Sequence, residues 1–373
     1  MKIVIAPDAF KGSLSAEEAA DALSNGVKKV FPDAEVVRLP VADGGEGTLN
    51  ALISSTGGTI QTVSVQDPLG RVIDAHLGVL GDGETAVIEM AQASGLMLLA
   101  KKELNPMKAS TYGTGQLIRH ALDQGYRKLI IGLGGSATND GGTGLLEALG
   151  VKFKAAGWPL EMNGSTLSVF DEIDSSKLDK RLLEADIRIA SDVENPFIGD
   201  QGASVVFGPQ KGADPEMVLD LDEGLEHFAD ETERVTGVRL HELHGAGAAG
   251  GSAGALIAYC GARLESGISV VLEAIDFANH LSSADLILTG EGKTDRQTLA
   301  GKALMGIAKL AKVEGVPVLV ISGTIDEAAR TELLEWFSEV HALDDGEKSL
   351  AELMTDAANL LENKASIVLQ TRN

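Results

Sequence analysis

The order of apolar and polar positions sets out most of the chain. Residues 2–6, "KIVIA", form an apolar run closed by Pro-Asp, the pattern of a buried parallel strand. "SLSAEEAADALSNGVKKV" follows, with Ser15 and Glu18 spaced as a capping box and Ala19, Leu23, Val27 and Val30 at helical intervals. "AEVVRLPVA" is the next strand, so the chain opens as strand–helix–strand with a right-handed crossover. The last third repeats this grammar. "ADLILTG", "VPVLVISG" and "EVHAL" read as strands. Residues from about Thr298 to Val313, "DEAARTELLEWF" with Asp326 as cap, and "SLAELMTDAANLLENKA" read as helices. Between them, "TIQTVSVQDPLGRVIDAHLGVLGDGETAVIEMA" alternates like antiparallel strands joined by Gly- and Pro-containing turns. A helix over Gly113–Gln124 leads into the strand "KLIIGLGG", and "IRIASDV" is a further buried strand. From Pro215, Val218, Leu221, Leu225, Phe228 and Val235 recur three and four apart, as in a long amphipathic helix. The expected fold is α/β with two domains. A Rossmann-like, doubly wound parallel sheet is built from residues 1–58 and 270–373, and an α+β domain, 59–269, is inserted into it.

Composition narrows the function classes. A net charge of -24 argues against nucleic acid as a partner, which needs a basic footprint. It leaves room for small anionic substrates held by a few local Lys and Arg side chains and a metal ion. The single cysteine, Cys260, sits in "GALIAYCGA" and reads as a buried small hydrophobe. One cysteine allows neither an internal disulfide nor a Cys/His metal cluster, which suits a reducing cytosol. The opening "MKIVIAPDAF" lacks a signal peptide's long apolar stretch, and no run approaches a transmembrane span, so the expectation is a cytoplasmic protein with no membrane partner.

Five polar, glycine-rich clusters follow the expected strands, at the edge where open α/β sheets bind ligands. "APDAFKGSLS" offers Asp8, Lys11, Ser13 and Ser15 before a helix, as an anion site or as a capping turn with a solvated lysine. "VADGGEGTLNAL" places Asp43 and Glu46 among glycines, for Mg²⁺ or substrate hydroxyls, or as a turn capped by Thr48 or Asp43. "GLGGSATNDGGTG" packs Ser136, Thr138, Asn139 and Asp140 between glycine pairs and offers backbone N–H groups to a phosphate. It has no lysine and no third glycine of a G-x-G-x-x-G, since that position is Ala137. "ASDVENPFIGDQGASVVFGPQKGADP" supplies Asp192 as a general base, a metal ligand or a turn cap, with Glu194 and Asn195 close by and Lys211 before a helix. "LTGEGKTDRQTLAGK" contains Gly-Lys-Thr after an apolar run but is not a P-loop, because the position five before Gly292 is Ile287. Glu291, Lys293, Asp295 and Arg296 there suit a phosphate and a metal, or Asp295 simply caps the following helix. "GAGAAGGSAGA", residues 245 to 255, is a ligand wall or a tight helix contact.

Taken together, "IAPDAFKGSLSA", "PVADGGEGT", "GLGGSATNDGG", "SDVENP", "FGPQKGA" and "TGEGKTDRQT" run in an order and spacing that resembles the bacterial glycerate kinases of the type-one family, across nearly the whole chain. The resemblance implies two α/β-type domains around a cleft, one Rossmann-like. It also implies ATP-dependent phosphorylation of D-glycerate with Mg²⁺, at the 2-hydroxyl, giving 2-phosphoglycerate and ADP. Phosphoryl transfer needs positioning, charge neutralisation and help in removing the hydroxyl proton. We therefore expect Asp192 as general base or Mg²⁺ ligand, with Asp295 second, and Lys11, Lys293 and Arg296 on the glycerate carboxylate or the transferred phosphate. Asp8, Ser13, Asp43, Glu46 and Glu291 are expected at the substrate, with Glu291 also a metal ligand. Gly134, Gly135, Ser136, Thr138, Asn139, Asp140 and Lys211 are expected at the ATP phosphates. Three alternatives stay open. One is a kinase forming 3-phosphoglycerate, and another is a non-catalytic regulatory protein that binds a hydroxy acid. The third, a dinucleotide-dependent oxidoreductase, lacks its fingerprint after the first strand, where "APDAFKG" stands. A homo-oligomer is compatible with all of these.

Overall fold

Five strands lie parallel in the order Glu339–Ala342, Val318–Ser322, Leu286–Thr289, Lys2–Ile5, Glu35–Arg38. The computed structural model describes residues 1–372 except Ala300, Asp345 and Glu347. Within them the chain divides into two units, and this sheet belongs to the first: Met1–Asp43, Asn50–Gly58 and Gly267–Asn373. Numbered along the chain, its strand order is 2-1-3-4-5, and the direction of winding reverses between Lys2–Ile5 and Leu286–Thr289. Ile3 lies opposite Leu286 on one side and Val36 on the other. Both central strands are apolar because helices cover both faces of the sheet.

The Ala16–Val30 helix begins with the expected capping box: Glu18 N donates to Ser15 Oγ at 3.1 Å and Ser15 N to Glu18 Oε2 at 2.8 Å. It packs on Ala357–Gln370 closely enough that a Cβ on Gly26 would lie 2.5 Å from the Glu362 carbonyl oxygen. Leu23, Val27, Leu361 and Leu369 of these helices join Ile3, Ile5, Leu288 and Ile321 in one core. Three helix expectations change. Thr298–Val313 is not one helix: Arg296–Leu299 and Ala303–Glu314 are separate, with Gly301 between them at φ +101° and Ala300 outside the described residues. After Asp326, which accepts from Ala328 N at 3.0 Å, the chain makes a 3₁₀ turn, Glu327–Ala329, and the short helix Arg330–Leu333. The last segment breaks at Asp356 into Leu350–Thr355 and Ala357–Gln370.

The second unit comprises Gly44–Leu49 and Thr59–Ser266. Its six-stranded sheet runs Arg263–Glu265, Asp186–Ala190, Lys128–Gly132, Thr85–Glu89, Val72–Val79, Thr59–Gln66. The first four are parallel, and the last two add an antiparallel hairpin to that edge. The long helix is Pro215–Thr236, capped by Asp214 and ended by Gly237 in the left-handed region. Its Leu225 and Phe228 enter a core with Phe153, Phe170 and Phe197. A small antiparallel sheet of Trp158–Leu160, Lys152–Ala155 and Glu172–Asp174 completes the unit.

Candidate active site

In the first unit, the carboxyl ends of all five strands contribute to one pocket at the point where the winding reverses. That is where open α/β sheets bind ligands. After Ile5 the chain stays beside its neighbours: Asp8 N donates to Gly290 O at 2.9 Å, and Val41 N to Pro7 O at 3.0 Å. These two bonds set the Asp8, Asp43 and Gly290–Asp295 segments side by side. The turn that follows closes with Ser13 N donating to Phe10 O at 2.8 Å, and Gly12 at φ +77° makes that reversal possible. On the far side, Lys293–Thr294 pairs in parallel with Thr324–Ile325, a two-residue ladder that the sequence pattern did not suggest. The neighbouring Val318–Ser322 strand explains a glycine of the Gly-Glu-Gly-Lys-Thr stretch: a Cβ on Gly290 would sit 1.8 Å from Ile321 O.

The cavity these segments enclose is about 750 Å³. Asp8, Lys11, Ser13, Asp43, Glu291, Lys293, Asp295 and Lys302 form its polar wall. Burial, reinforced by Asp43 and then Glu291, pushes the Asp8 carboxyl up to about 7, against the Ala9 N–H it accepts at 2.7 Å. Glu291 is raised by burial as well, and two hydroxyls oppose the shift: Thr298 Oγ1 at 2.6 Å and Thr294 Oγ1 at 3.1 Å both donate to Glu291 Oε1. Ser322 Oγ lies 2.7 Å from Thr294 Oγ1 and accepts from Glu291 N at 3.2 Å, so the Glu291 side chain is fixed from several directions. Asp295 is held below the usual carboxylate range by Lys293, whose Nζ is 3.0 Å away, and by the Gln297 N–H it caps. Arg296 points elsewhere, donating to Glu332 Oε1 at 2.8 Å, and does not line the cavity.

The second unit has its own cluster at the carboxyl edge of its parallel strands. Here Glu89, which the sequence reading passed over as part of an apolar strand, is buried and accepts from Gly47 N and Leu49 N, both at 3.2 Å. Burial raises its carboxyl, and those two N–H groups oppose the shift. The Gly44–Leu49 loop thus lies over Gly132 and Gly134, where a Cβ on Gly134 would be 2.5 Å from the Gly45 Cα. Glu46 on this loop is exposed, and so is Asp192, two residues past the Asp186–Ala190 strand.

The side chains of the Gly134–Gly142 loop turn inward. Lys211 is buried, and its Nζ donates to Ser136 Oγ at 3.0 Å and Thr138 O at 2.6 Å. Burial brings its ammonium down to about 7. Asn139 Nδ2 donates to Ser204 Oγ at 3.0 Å. Asp140 accepts from Thr111 N and Thr111 Oγ1 at 2.8 Å each and from Gly142 N at 3.1 Å. The small polar residues bond mainly to neighbours outside the loop, Lys211, Ser204 and Thr111, while Thr138 Oγ1 and Asn139 Oδ1 are buried with no hydrogen-bond partner among the described residues. Gly135 keeps a left-handed turn at φ +73°.

Among the described residues no group of three or more His, Cys, Asp or Glu side chains is placed to hold a metal by itself. Mg²⁺ does not need one, since it binds through one or two carboxylates, phosphate oxygens and water. The carboxylates of the first unit's cavity fit that pattern.

A parallel sheet with acids and lysines converging at its winding reversal defines an α/β enzyme that handles small anions. The chain belongs to the glycerate kinase family, whose model matches residues 3–373, and it is a kinase. It is 47% identical over 366 residues to a glycerate kinase of Bacillus subtilis (strain 168), covering 98% of this chain and 96% of that one. It is also 47% identical to a glycerate 2-kinase of Escherichia coli (strain K12), over 88% of this chain and 86% of the other. A crystal structure assigned as glycerate kinase 2 from Salmonella typhimurium LT2 superposes with a TM-score of 0.91 at 44% identity, covering 100% of this chain and 98% of that one. No helix among the described residues is long and apolar enough to cross a membrane.

Proposed function

We propose that the protein transfers the terminal phosphoryl group of ATP to the 2-hydroxyl of D-glycerate, with Mg²⁺, giving 2-phosphoglycerate and ADP. The observation that carries this reading is the polar wall of the first unit's cavity, where Asp8, Asp43, Glu291 and Asp295 face the same space as Lys11, Lys293 and Lys302. The name of the Escherichia coli relative supports the choice of hydroxyl. The lysines neutralise the acceptor carboxylate and the phosphate in flight. Asp8, with a carboxyl near 7, takes the hydroxyl proton or orients that hydroxyl through the paired Asp43. Glu291, fixed by Thr294 and Thr298, is the ligand for Mg²⁺, which when bound neutralises charge on the phosphates. Asp295 holds Lys293 in place and stays ionised. Asp192, exposed on the second unit, is the alternative to Asp8 as general base. Gly134, Gly135, Ser136, Thr138, Asn139, Asp140 and Lys211, expected at the ATP phosphates, shape the second unit's own loop. The cell compartment of this reading is the cytoplasm, in keeping with the lone, buried Cys260.

A coupled ADP-release assay with D-glycerate, ATP and Mg²⁺, followed by phosphorus NMR of the product, tests the proposal. Glycerate-dependent ADP release with a 2-phosphate product is expected. A 3-phosphate product would overturn the choice of hydroxyl, and no turnover by folded protein would overturn the acceptor. In the same assay, Asp192→Asn leaving kcat within a few-fold of wild type would remove Asp192 as the base.

A further inference from the structure

The polar wall accounts for only part of the first unit's cavity. Beyond it, with Gln297, Thr298 and Thr324, the lining includes a group of apolar side chains: Phe10, Leu343, Leu350, Leu353, Met354 and Ala357. Four of these sit at positions i, i+3, i+4 and i+7 of the C-terminal segment, the stripe that an amphipathic helix normally buries. Leu353 and Ala357 are buried, but Leu350 at the start of the stripe is 66% exposed. A leucine left open on the rim of a cavity, next to a half-buried methionine, gains free energy once an apolar surface covers it.

Size and charge identify what covers it. A volume of about 750 Å³ lies in the range that encloses drug-sized ligands, roughly 300–1,000 Å³. A three-carbon hydroxy acid is far smaller and wholly polar, so it neither fills this space nor needs the apolar wall. The polar part of the lining carries three lysines and four carboxylates, which suit a polyphosphate and its divalent cation. A ligand with a flat, weakly polar group at one end and a polyphosphate at the other is a nucleotide. We propose that the wall made by Leu343, Leu350, Leu353 and Met354 holds the base of the nucleoside triphosphate, with its phosphates directed to Lys11, Lys293 and Lys302. This deepens the kinase reading above and rests on its choice of ATP as donor. It places the nucleotide's base in the first unit, where the apolar wall is.

The test is direct binding, without turnover. Titration calorimetry would compare Mg-ADP and Mg-tripolyphosphate, which has no base, on wild type, Leu350→Gln and Met354→Gln. Leu350 is exposed, so its replacement leaves the fold intact and keeps the test meaningful even if Met354→Gln is unstable. The expected result is a loss of Mg-ADP affinity of about tenfold or more, with tripolyphosphate affinity within about twofold of wild type and the glycerate KM unchanged. Unchanged Mg-ADP affinity, an equal loss for both ligands, or a rise confined to the glycerate KM would each overturn the proposal. The last outcome would give the apolar wall to the acceptor. Wild-type protein that binds Mg-ADP but ignores glycerate would overturn the acceptor while leaving the base site standing. Glycerate turnover with no effect of Leu350→Gln on Mg-ADP would do the reverse.

Discussion

The Asp8 carboxyl sits at about 7 because it is buried and because Asp43 and Glu291 are close. Its unfolded value is near 3.9, so between those limits the folded chain holds the extra proton. Stability contributed by that proton is present at low pH and is lost as pH climbs toward 7, and above 7 the buried charge costs its full amount. Asp8→Asn keeps an acceptor for the Ala9 N–H and removes the charge. Thermal melts should show the variant more stable than wild type at pH 8, on the order of 2 kcal/mol, with the difference vanishing near pH 4. Its kcat/KM should fall about 100-fold, the usual conflict between stability and function at a site. A variant less stable than wild type at pH 8 would mean that the carboxylate is compensated there. Asp8 and Glu291 were legible in the sequence because each is a carboxylate within three residues of the end of an apolar strand run, Glu291 between two glycines. Lys302 was not, since nothing in its neighbourhood separates it from a solvated helix-cap lysine. Glu89 hid inside the apolar run "AVIEM", and the burial of Lys211 depends on partners about seventy residues away.

At the scale of elements, strands and capped helices follow from local pattern. The Ser15 capping box and the Asp214-to-Gly237 helix are local chemistry and could be read directly. What escaped the reading depends on tertiary neighbours. The Lys293–Thr294 ladder forms because Gly290 and Gly323 let two loops meet: a Cβ on Gly323 would be 2.4 Å from Gly292 O. The break at Asp356 likewise cannot be inferred from an apolar stripe that continues through it. Gly290→Ala should therefore cost about 2–4 kcal/mol in denaturant unfolding and reduce activity, because the added methyl has only backbone to push against. Gly292→Ala, whose Cβ would meet nothing closer than the Lys11 N at 3.3 Å, should cost under about 1 kcal/mol. Equal losses in the two variants would show that close backbone approach is not what selects glycine at position 290.

For the whole molecule, the sequence conveyed an α/β chain with one sheet assembled from distant segments, since matching strand–helix grammar appears at both its ends. Net charge also acts at this scale. With 55 acidic residues against 31 Lys and Arg, an anionic substrate finds attraction only where lysines and a bound cation offset the acids, and in the first unit's cavity three lysines stand among four carboxylates. The sheet of the first unit has a further consequence, for synthesis on the ribosome. Its central pair, Lys2–Ile5 and Leu286–Thr289, joins residues as far apart as Ala6 and Thr289, a separation of 283. At about 5–20 residues per second, the opening strand waits on the order of 15–60 s for its neighbour, while every strand and helix of the second unit has already emerged. Nascent chains stalled with residue 280 just outside the exit tunnel should resist protease over 59–266 and be cut within 1–43. Protection of the opening strand at that length would mean that pairing with Glu35–Arg38 alone is enough to shield it. The "KIVIA" segment that begins the active site, though it can pair early with Glu35–Arg38, thus keeps its other edge open through most of translation.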